Sequence, residues 1–183
     1  MFYVDSIFSR KAVLLIFLAY EQNGLELPVS SAYLSSAYSS PLWSLYLSTL
    51  ETLLYPLGVN IYDFAYMLEK GSDYSLVPSF GFKPVIHSRK KLLGVIQRMM
   101  RENTGSGMCR AEMARRMGRE RSGVNVDFRS KAGTITMHKV EEYAAAAGLK
   151  VSDVFRRYAE LYPEDTDYER YVEETGSSRP FCS

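Results

Sequence analysis

The sequence predicts an all-α protein with two small helical domains in tandem. Apolar residues recur at three- and four-residue spacing in several separate segments, which is typical of helices that bury one face. Glycines such as Gly58 and Gly148 follow these segments, at positions where helices commonly end. The order of the helical segments repeats once along the 183 residues, so the chain is interpreted as an internal duplication.

The positive charge of the chain is concentrated in its middle. The formal net charge is only +1, and the hydrophobic content of 46% is enough for a packed core and excludes a disordered protein. Residues 1–75 contain 3 Lys and Arg against 7 Asp and Glu, residues 76–160 contain 17 against 8, and residues 161–183 contain 2 against 6. We expect the basic middle segment to attract phosphate backbones.

Residues 1–71 are predicted to form the first domain. Its first helix contains an apolar run at residues 13–20, which is too short to cross a bilayer and is expected to be covered on several sides. A short Ser-rich helix follows at residues 29–38, and two further helical segments lie at residues 47–57 and 59–68. No membrane partner is expected, and the chain is predicted to be cytoplasmic.

The aromatic residues of the first domain predict a protein–protein interface. Residues 1–75 contain nine of the 14 tyrosines and the single tryptophan of the chain. Both residue types are enriched at interfaces, because a large ring is buried while its polar end bonds at the rim. We therefore expect a homodimer, or a second protein partner, through residues 1–70; the alternative is a Tyr-rich core without a partner. The candidate interface residues are Tyr33, Tyr38, Trp43 and Tyr46.

Two segments are predicted to lie outside the helical domains. Residues 72–88 are interpreted as a linker, because glycine, serine and two prolines argue against a helix. Residues 161–183 are interpreted as an acidic C-terminal tail, which is either solvated or packed on the rest of the protein.

Residues 89–160 are predicted to form the second, basic domain. Its first helix spans residues 89–101, and residues 110–129 then predict a short helix, a turn at Gly118 and a second short helix. Ala114 suits a close crossing of two helices, whereas Val124 and Phe128 lie one helical turn apart and are expected to face the core.

The polar residues of this helix pair predict contacts with DNA. Arg and Asn match the edges of base pairs in the major groove, whereas other cations nearby would bind phosphates and so position the protein. The predicted base-reading residues are Arg121, Ser122, Asn125 and Arg129. The predicted phosphate-binding residues are Arg110, Arg115, Arg119 and Lys131.

Two motifs of the basic domain resemble a known family. The motif Ala-Glu-Met-Ala-Arg-Arg-Met-Gly at residues 111–118 and the motif Thr-Met-His-Lys-Val-Glu-Glu-Tyr-Ala-Ala-Ala-Ala-Gly-Leu-Lys-Val at residues 136–151 resemble the Cro/lambda-repressor-like (XRE) helix-turn-helix family. Residues 1–71 look like a degenerate second copy, whose helix 2 is compressed to residues near 25–27. One departure is that residues 128–130, Phe-Arg-Ser, stand where many family members carry an acidic residue.

The resemblance implies a sequence-specific transcriptional regulator that binds double-stranded DNA. We expect a dimeric repressor of phage or mobile-element type that reads a palindromic site, with half-site centres about one helical turn apart. The alternative is a protein-binding module that reuses the fold, such as an antitoxin or an inhibitor of an anti-phage nuclease.

The sequence does not predict an enzyme, a cofactor or a metal site. Cys109, Cys182, His87 and His138 are separated from one another and do not have the spacing of metal ligands. No nucleophile with an adjacent base is recognisable, and no glycine-rich nucleotide-binding motif occurs.

Overall fold

The computed structural model describes residues 7–39, 45–70, 86, 88–105, 110–130 and 135–166. This part of the chain is mostly helical and contains no β-strand, which confirms the all-α prediction. The N-terminal half contains α1 (Ile7–Gln22), α2 (Ser31–Ser39), α3 (Leu47–Leu54) and α4 (Ile61–Lys70). The C-terminal half contains α5 (Arg89–Thr104), α6 (Arg110–Arg116), α7 (Arg121–Arg129), α8 (Met137–Ala147) and α9 (Val151–Leu161), followed by a 3-10 turn at Pro163–Thr166.

Local capping explains where α8 begins and ends. The Thr136 hydroxyl accepts the backbone N–H of Lys139, which satisfies one of the first amide groups of the helix. At the other end, Gly148 has φ 70°, and its N–H bonds back to the last turn. A side chain with a Cβ would be strained in this conformation, so the predicted stop at Gly148 is confirmed.

The two halves repeat the same helical pattern. Helices α2, α3 and α4 recur as α7, α8 and α9 at a spacing of 90 residues; Leu34 and Val124, for example, are equivalent and both fully buried. Helix α6 is the exception, because the chain at residues 25–30 forms no helix. The N-terminal half therefore has no counterpart of α6 at residues 25–30.

The halves are joined by reciprocal hydrogen bonds at equivalent positions. The backbone N–H of Leu47 donates to the carbonyl of Ile135 at 2.8 Å, and that of Met137 donates to the carbonyl of Leu45 at 2.8 Å. Helix α4 packs along α9 nearby, and one hydrophobic core runs through both halves. Helix α4 ends at Lys70 and α5 begins at Arg89, and the two halves share this core instead of packing independently.

The predicted linker and the predicted C-terminal tail each contain packed residues where the structure describes them. Ile86 is 3% exposed and donates its N–H to the Glu51 carboxylate at 2.6 Å, which fixes the end of the predicted linker on α3. Asp165, in the predicted tail, accepts hydrogen bonds from Lys91 at 2.9 Å and from Tyr158. The other linker residues and residues 167–183 lie outside the described residues. None of the described helices is long and apolar enough to span a membrane.

The shared core predicts that the two halves unfold together. Phe155 is fully buried on α9, so Phe155→Ala should lower the free energy of unfolding by about 3–5 kcal/mol through lost burial and a cavity. Chemical denaturation followed by circular dichroism should show a single transition, and the substitution should shift that whole transition to lower denaturant concentration. The control Leu18→Ala, at a position 41% exposed, should change the free energy by less than about 0.5 kcal/mol. Two separate transitions in the parent protein would contradict the shared core.

Candidate nucleic-acid interface

Helices α6 and α7 are joined by a short turn. Met113 and Ala114 bury the inner face of α6, and Gly118 turns the chain with φ 61°. On α7, Val124 is fully buried and Phe128 is 5% exposed, so both face the core as predicted. The opposite face of α7 is therefore left toward solvent.

The outward residues of α7 form one continuous stripe. They occupy positions i, i+1, i+4, i+5 and i+8, which a helix places on a single face. Four of them are exposed and Asn125 is half-buried. We call this set the α7 stripe: Arg121, Ser122, Asn125, Val126 and Arg129.

Val126 is a member of the stripe that the sequence analysis missed. Its side chain is 66% exposed, the largest exposure among the large hydrophobic residues that the structure describes. Val126 was given no role in the sequence analysis, although it lies four positions after Ser122 and so shares that residue's outward face. An exposed branched side chain in this setting suits contact with a thymine methyl group.

Arg110 joins the start of α6 to the middle of α7. Its guanidinium lies 4.5 Å from the centroid of the Phe128 ring and donates to the Asn125 side-chain oxygen at 3.4 Å. A predicted phosphate-binding residue and a predicted base-reading residue are therefore adjacent. The ring of Phe128 stabilises the guanidinium of Arg110 through a cation–π contact.

Two cations of α6 are paired with one carboxylate on the same helix. Glu112 accepts hydrogen bonds from Arg115 at 2.6 and 2.7 Å and from Arg116 at 3.1 Å. These hydrogen bonds lower the pKa of Glu112 to about 2. Arg116 also donates to the carbonyl of Ala146, near the C-terminal end of α8, where cations are favoured. The Arg115 side chain is 74% exposed, so its pair is accessible to solvent.

Arg119 is bound to carboxylates of the protein itself. Its guanidinium donates to Asp127 at 3.1 Å and lies 3.8 Å from Glu142 of α8, with a side chain 29% exposed. The structure thus places this predicted phosphate-binding residue partly inside the fold. Arg121 and Arg129, in contrast, are exposed and form no ion pair with another described residue.

Asp127 is the buried carboxylate that fixes α7. It is 4% exposed and accepts hydrogen bonds from Lys139 at 2.8 Å, from Tyr143 at 2.9 Å, and from Arg89 at the start of α5. With Arg119, these donors come from α5, from the turn before α7 and from α8. The sequence analysis assigned no role to Asp127, which directly precedes residues 128–130.

The charges around Asp127 determine its ionisation. Burial acts to raise the pKa of this carboxyl, but the hydrogen bonds from Lys139 and Tyr143 and the charges of Lys139 and Arg89 hold it below its ordinary value. Asp127 is therefore ionised at neutral pH, and its negative charge compensates the cations that surround it. The same contact and burial raise the pKa of the Tyr143 hydroxyl, which stays protonated as a donor.

The predicted interface residues of the N-terminal half have different surroundings. Tyr33 is half-buried on α2, whereas Tyr38 is 49% exposed and Tyr46 is 43% exposed. Trp43, like the predicted phosphate-binding residue Lys131, lies outside the described residues.

Comparisons with known proteins leave the family resemblance as a prediction. No protein-family model matches the chain, and no curated protein or solved structure matches it. Among the described residues, no group of three or more His, Cys, Asp or Glu side chains is placed to bind a metal ion.

Removing the charge of Asp127 should destabilise the protein strongly. Asp127→Asn leaves the cations of Arg89 and Lys139 without their buried partner, and breaking such a pair costs about 3–5 kcal/mol of unfolding free energy. The control Asp153→Asn breaks an exposed pair with Arg156 and should cost at most about 1 kcal/mol. Urea denaturation at pH 7 measures both effects. Equal losses in the two variants would show that Asp127 does not have this role.

The stabilisation by Asp127 should also depend on pH. Because the pKa of its carboxyl is lowered in the folded state, the contribution is complete above the unfolded pKa of about 3.9 and is lost as pH falls through the folded pKa. The difference in unfolding free energy between the parent protein and Asp127→Asn should therefore be constant near neutrality and shrink in acid. A difference that grows as pH falls would contradict this sign.

Proposed function

We propose that this protein is a sequence-specific DNA-binding transcriptional regulator that places α7 in the major groove. The single observation that carries the proposal is the α7 stripe, an outward face on a helix fixed by Asp127. The stripe has an amide, an exposed valine and two exposed cations that form no ion pair with the described part of the chain. Base reading requires such groups on a rigid element, because small displacements break bidentate contacts.

Members of the stripe have complementary roles in this proposal. Arg121 and Arg129 lie two turns apart, so they reach different base pairs and offer the bidentate fork that matches guanine. Asn125 can pair with adenine, and Val126 can contact a thymine methyl group. Ser122, whose hydroxyl donates to Glu120 at 3.1 Å, completes the polar surface at the start of the helix.

Phosphate contacts are assigned to cations that can exchange a partner at little cost. Among the described residues Arg115 is bound only to Glu112, in a pair that solvent reaches and screens, so a DNA phosphate can replace the carboxylate. Arg110 lies beside Asn125 at the edge of the stripe, which suits a phosphate next to the base that Asn125 reads. Lys131 is retained as a phosphate contact from its position after α7 in the sequence.

The proposed regulator acts as a repressor of phage or mobile-element type when its site overlaps a promoter. The other candidate, a protein-binding module such as an antitoxin or nuclease inhibitor, is supported by the exposed rings of Tyr38 and Tyr46. A protein that binds its partner through these rings would show no sequence preference toward DNA, so DNA selection separates the two candidates.

Base-reading substitutions should change sequence preference. We expect Arg121→Ala and Arg129→Ala each to weaken binding to the selected duplex by about 1–3 kcal/mol and to relax the preference at one position. Arg156→Ala is the matched control, because this arginine is exposed on α9 and paired with Asp153. Selection from a random duplex pool, followed by binding titrations at fixed salt, measures both effects. Unchanged affinity in both α7 variants would overturn the assignment.

A phosphate-contact substitution should have a different signature. Arg115→Ala should weaken binding to all duplexes alike and reduce the slope of log affinity against log salt by about 1, because one phosphate contact is lost. Titrations of a selected and a scrambled duplex at several salt concentrations test this prediction. A loss confined to the selected duplex would instead make Arg115 a base-reading residue.

A further inference from the structure

The junction between the halves has the form of a two-fold dimer contact. Leu47 bonds to Ile135 and Met137 bonds to Leu45, and each pair exchanges equivalent positions that lie 90 residues apart. Helix α4 likewise packs on α9, its own counterpart. In a symmetric dimer the same patch serves both subunits, so that residue i contacts j and j contacts i. Here one chain supplies both sides.

The N-terminal half covers the face of the C-terminal half through which two copies would pair in a symmetric dimer. Ile135 is 2% exposed, and Phe155 and Tyr158 on α9 are fully buried, in a core shared with α4 of the N-terminal half. A second C-terminal half cannot pair on this face without displacing the N-terminal half. The position that a symmetry mate would take is already occupied.

The two-fold relation makes α2 the counterpart of α7. Adding 90 to the numbers of five exposed α2 residues gives the five members of the α7 stripe, so the two surfaces can be compared position by position. A further exposed residue of α2, Tyr38, corresponds instead to the buried Phe128. In place of two arginines, a serine, an asparagine and a valine, α2 presents Ser31, Ala32, Ser35, Ser36 and Ser39. The counterpart stripe is therefore uncharged and has only short side chains.

The short polar groups of α2 are directed partly to their own helix. Ser36 donates its hydroxyl to the carbonyl of Ala32 at 2.9 Å, and Ser39 donates to that of Ser35 at 2.7 Å. Hydroxyls bonded in this way have less capacity to reach a base edge. Helix α2 thus has the position of a recognition helix without its chemistry.

The cations of the N-terminal half occur only near its two ends, at Arg10, Lys11 and Lys70. No Lys or Arg occurs between Ala12 and Glu69 in the sequence, and this stretch contains five acidic residues. Where the C-terminal half has α6 with its arginines, residues 25–30 form no helix and expose Glu26. Helix α2 and residues 25–30, which correspond to α7 and α6, therefore offer a DNA backbone no positive charge to replace its counterions.

We infer that one chain binds each DNA site and reads a single, non-palindromic half-site through α7, with the N-terminal half in the place of a second subunit. The inference rests on the proposed function and changes the stoichiometry that the sequence predicted, which was a homodimer on a palindrome. The symmetry of a DNA site mirrors the symmetry of the protein that reads it. A chain in which α7 has base-reading groups and its counterpart α2 has none therefore requires an asymmetric site.

The experiment combines selection of bound duplexes with a count of chains. Full-length protein would be selected against a random duplex pool, and the mass of the complex with the enriched duplex would be measured by analytical ultracentrifugation. The expected result is a motif without two-fold symmetry and one chain per duplex. An inverted repeat of that motif should gain no more than about twofold in affinity, because independent chains have no bivalent advantage.

Two other results would overturn the inference, and they differ in what else they overturn. An enriched palindrome bound by two chains would contradict the inference that one chain binds each site, but it would leave the proposed DNA-binding function intact. Recovery of no sequence motif would remove both. Arg129→Ala is the control, because its loss of enrichment would show that the motif is read by α7.

Discussion

The fold of the C-terminal half depends on one buried carboxylate. Asp127 lies on the inner side of α7 and accepts hydrogen bonds from α5, α8 and the turn that precedes α7. A buried anion is unfavourable by itself, but three cations and a hydroxyl make its ionised form the stable one. Helix α7 is therefore fixed to three other parts of the chain, and residues on its outer face can vary without a change in its orientation.

Within this one chain, the two halves make the contacts that two subunits would make in a symmetric dimer. Reciprocal hydrogen bonds at the starts of α3 and α8, together with the packing of α4 on α9, keep the halves in a dimer-like arrangement at any protein concentration. In the proposed function the N-terminal half only maintains this core, so its outer surface needs no charge. The serines of α2 and the missing counterpart of α6 are consistent with a half that serves the fold while α7 retains the exposed cations.

The helices could be predicted from the sequence because their signals are local. Periodic apolar residues and glycines such as Gly118 and Gly148 depend on neighbours in the chain, and the structure confirms them. The role of Asp127 could not be predicted, because its partners Arg89 and Tyr143 lie 38 and 16 residues away. Val126 was missed for another reason: only polar side chains were considered for the outer face of α7, although the register of Val126 places it outward. Arg119 was counted as an exposed cation because sequence does not reveal which carboxylate a charge meets.

Internal pairing also affects how a basic surface of this kind discriminates between DNA sequences. Arg115 and Arg116 share Glu112, and Arg119 is bound to Asp127, so much of the formal charge around α6 is compensated within the protein. General attraction to phosphates grows with each uncompensated cation, whereas base contacts need only a few groups in the right place. In the proposed function, neutralising α6 while leaving Arg121 and Arg129 without an ion pair to another described residue would therefore lower binding to arbitrary DNA more than binding to the correct site. The ratio of these two affinities is the quantity that determines specificity.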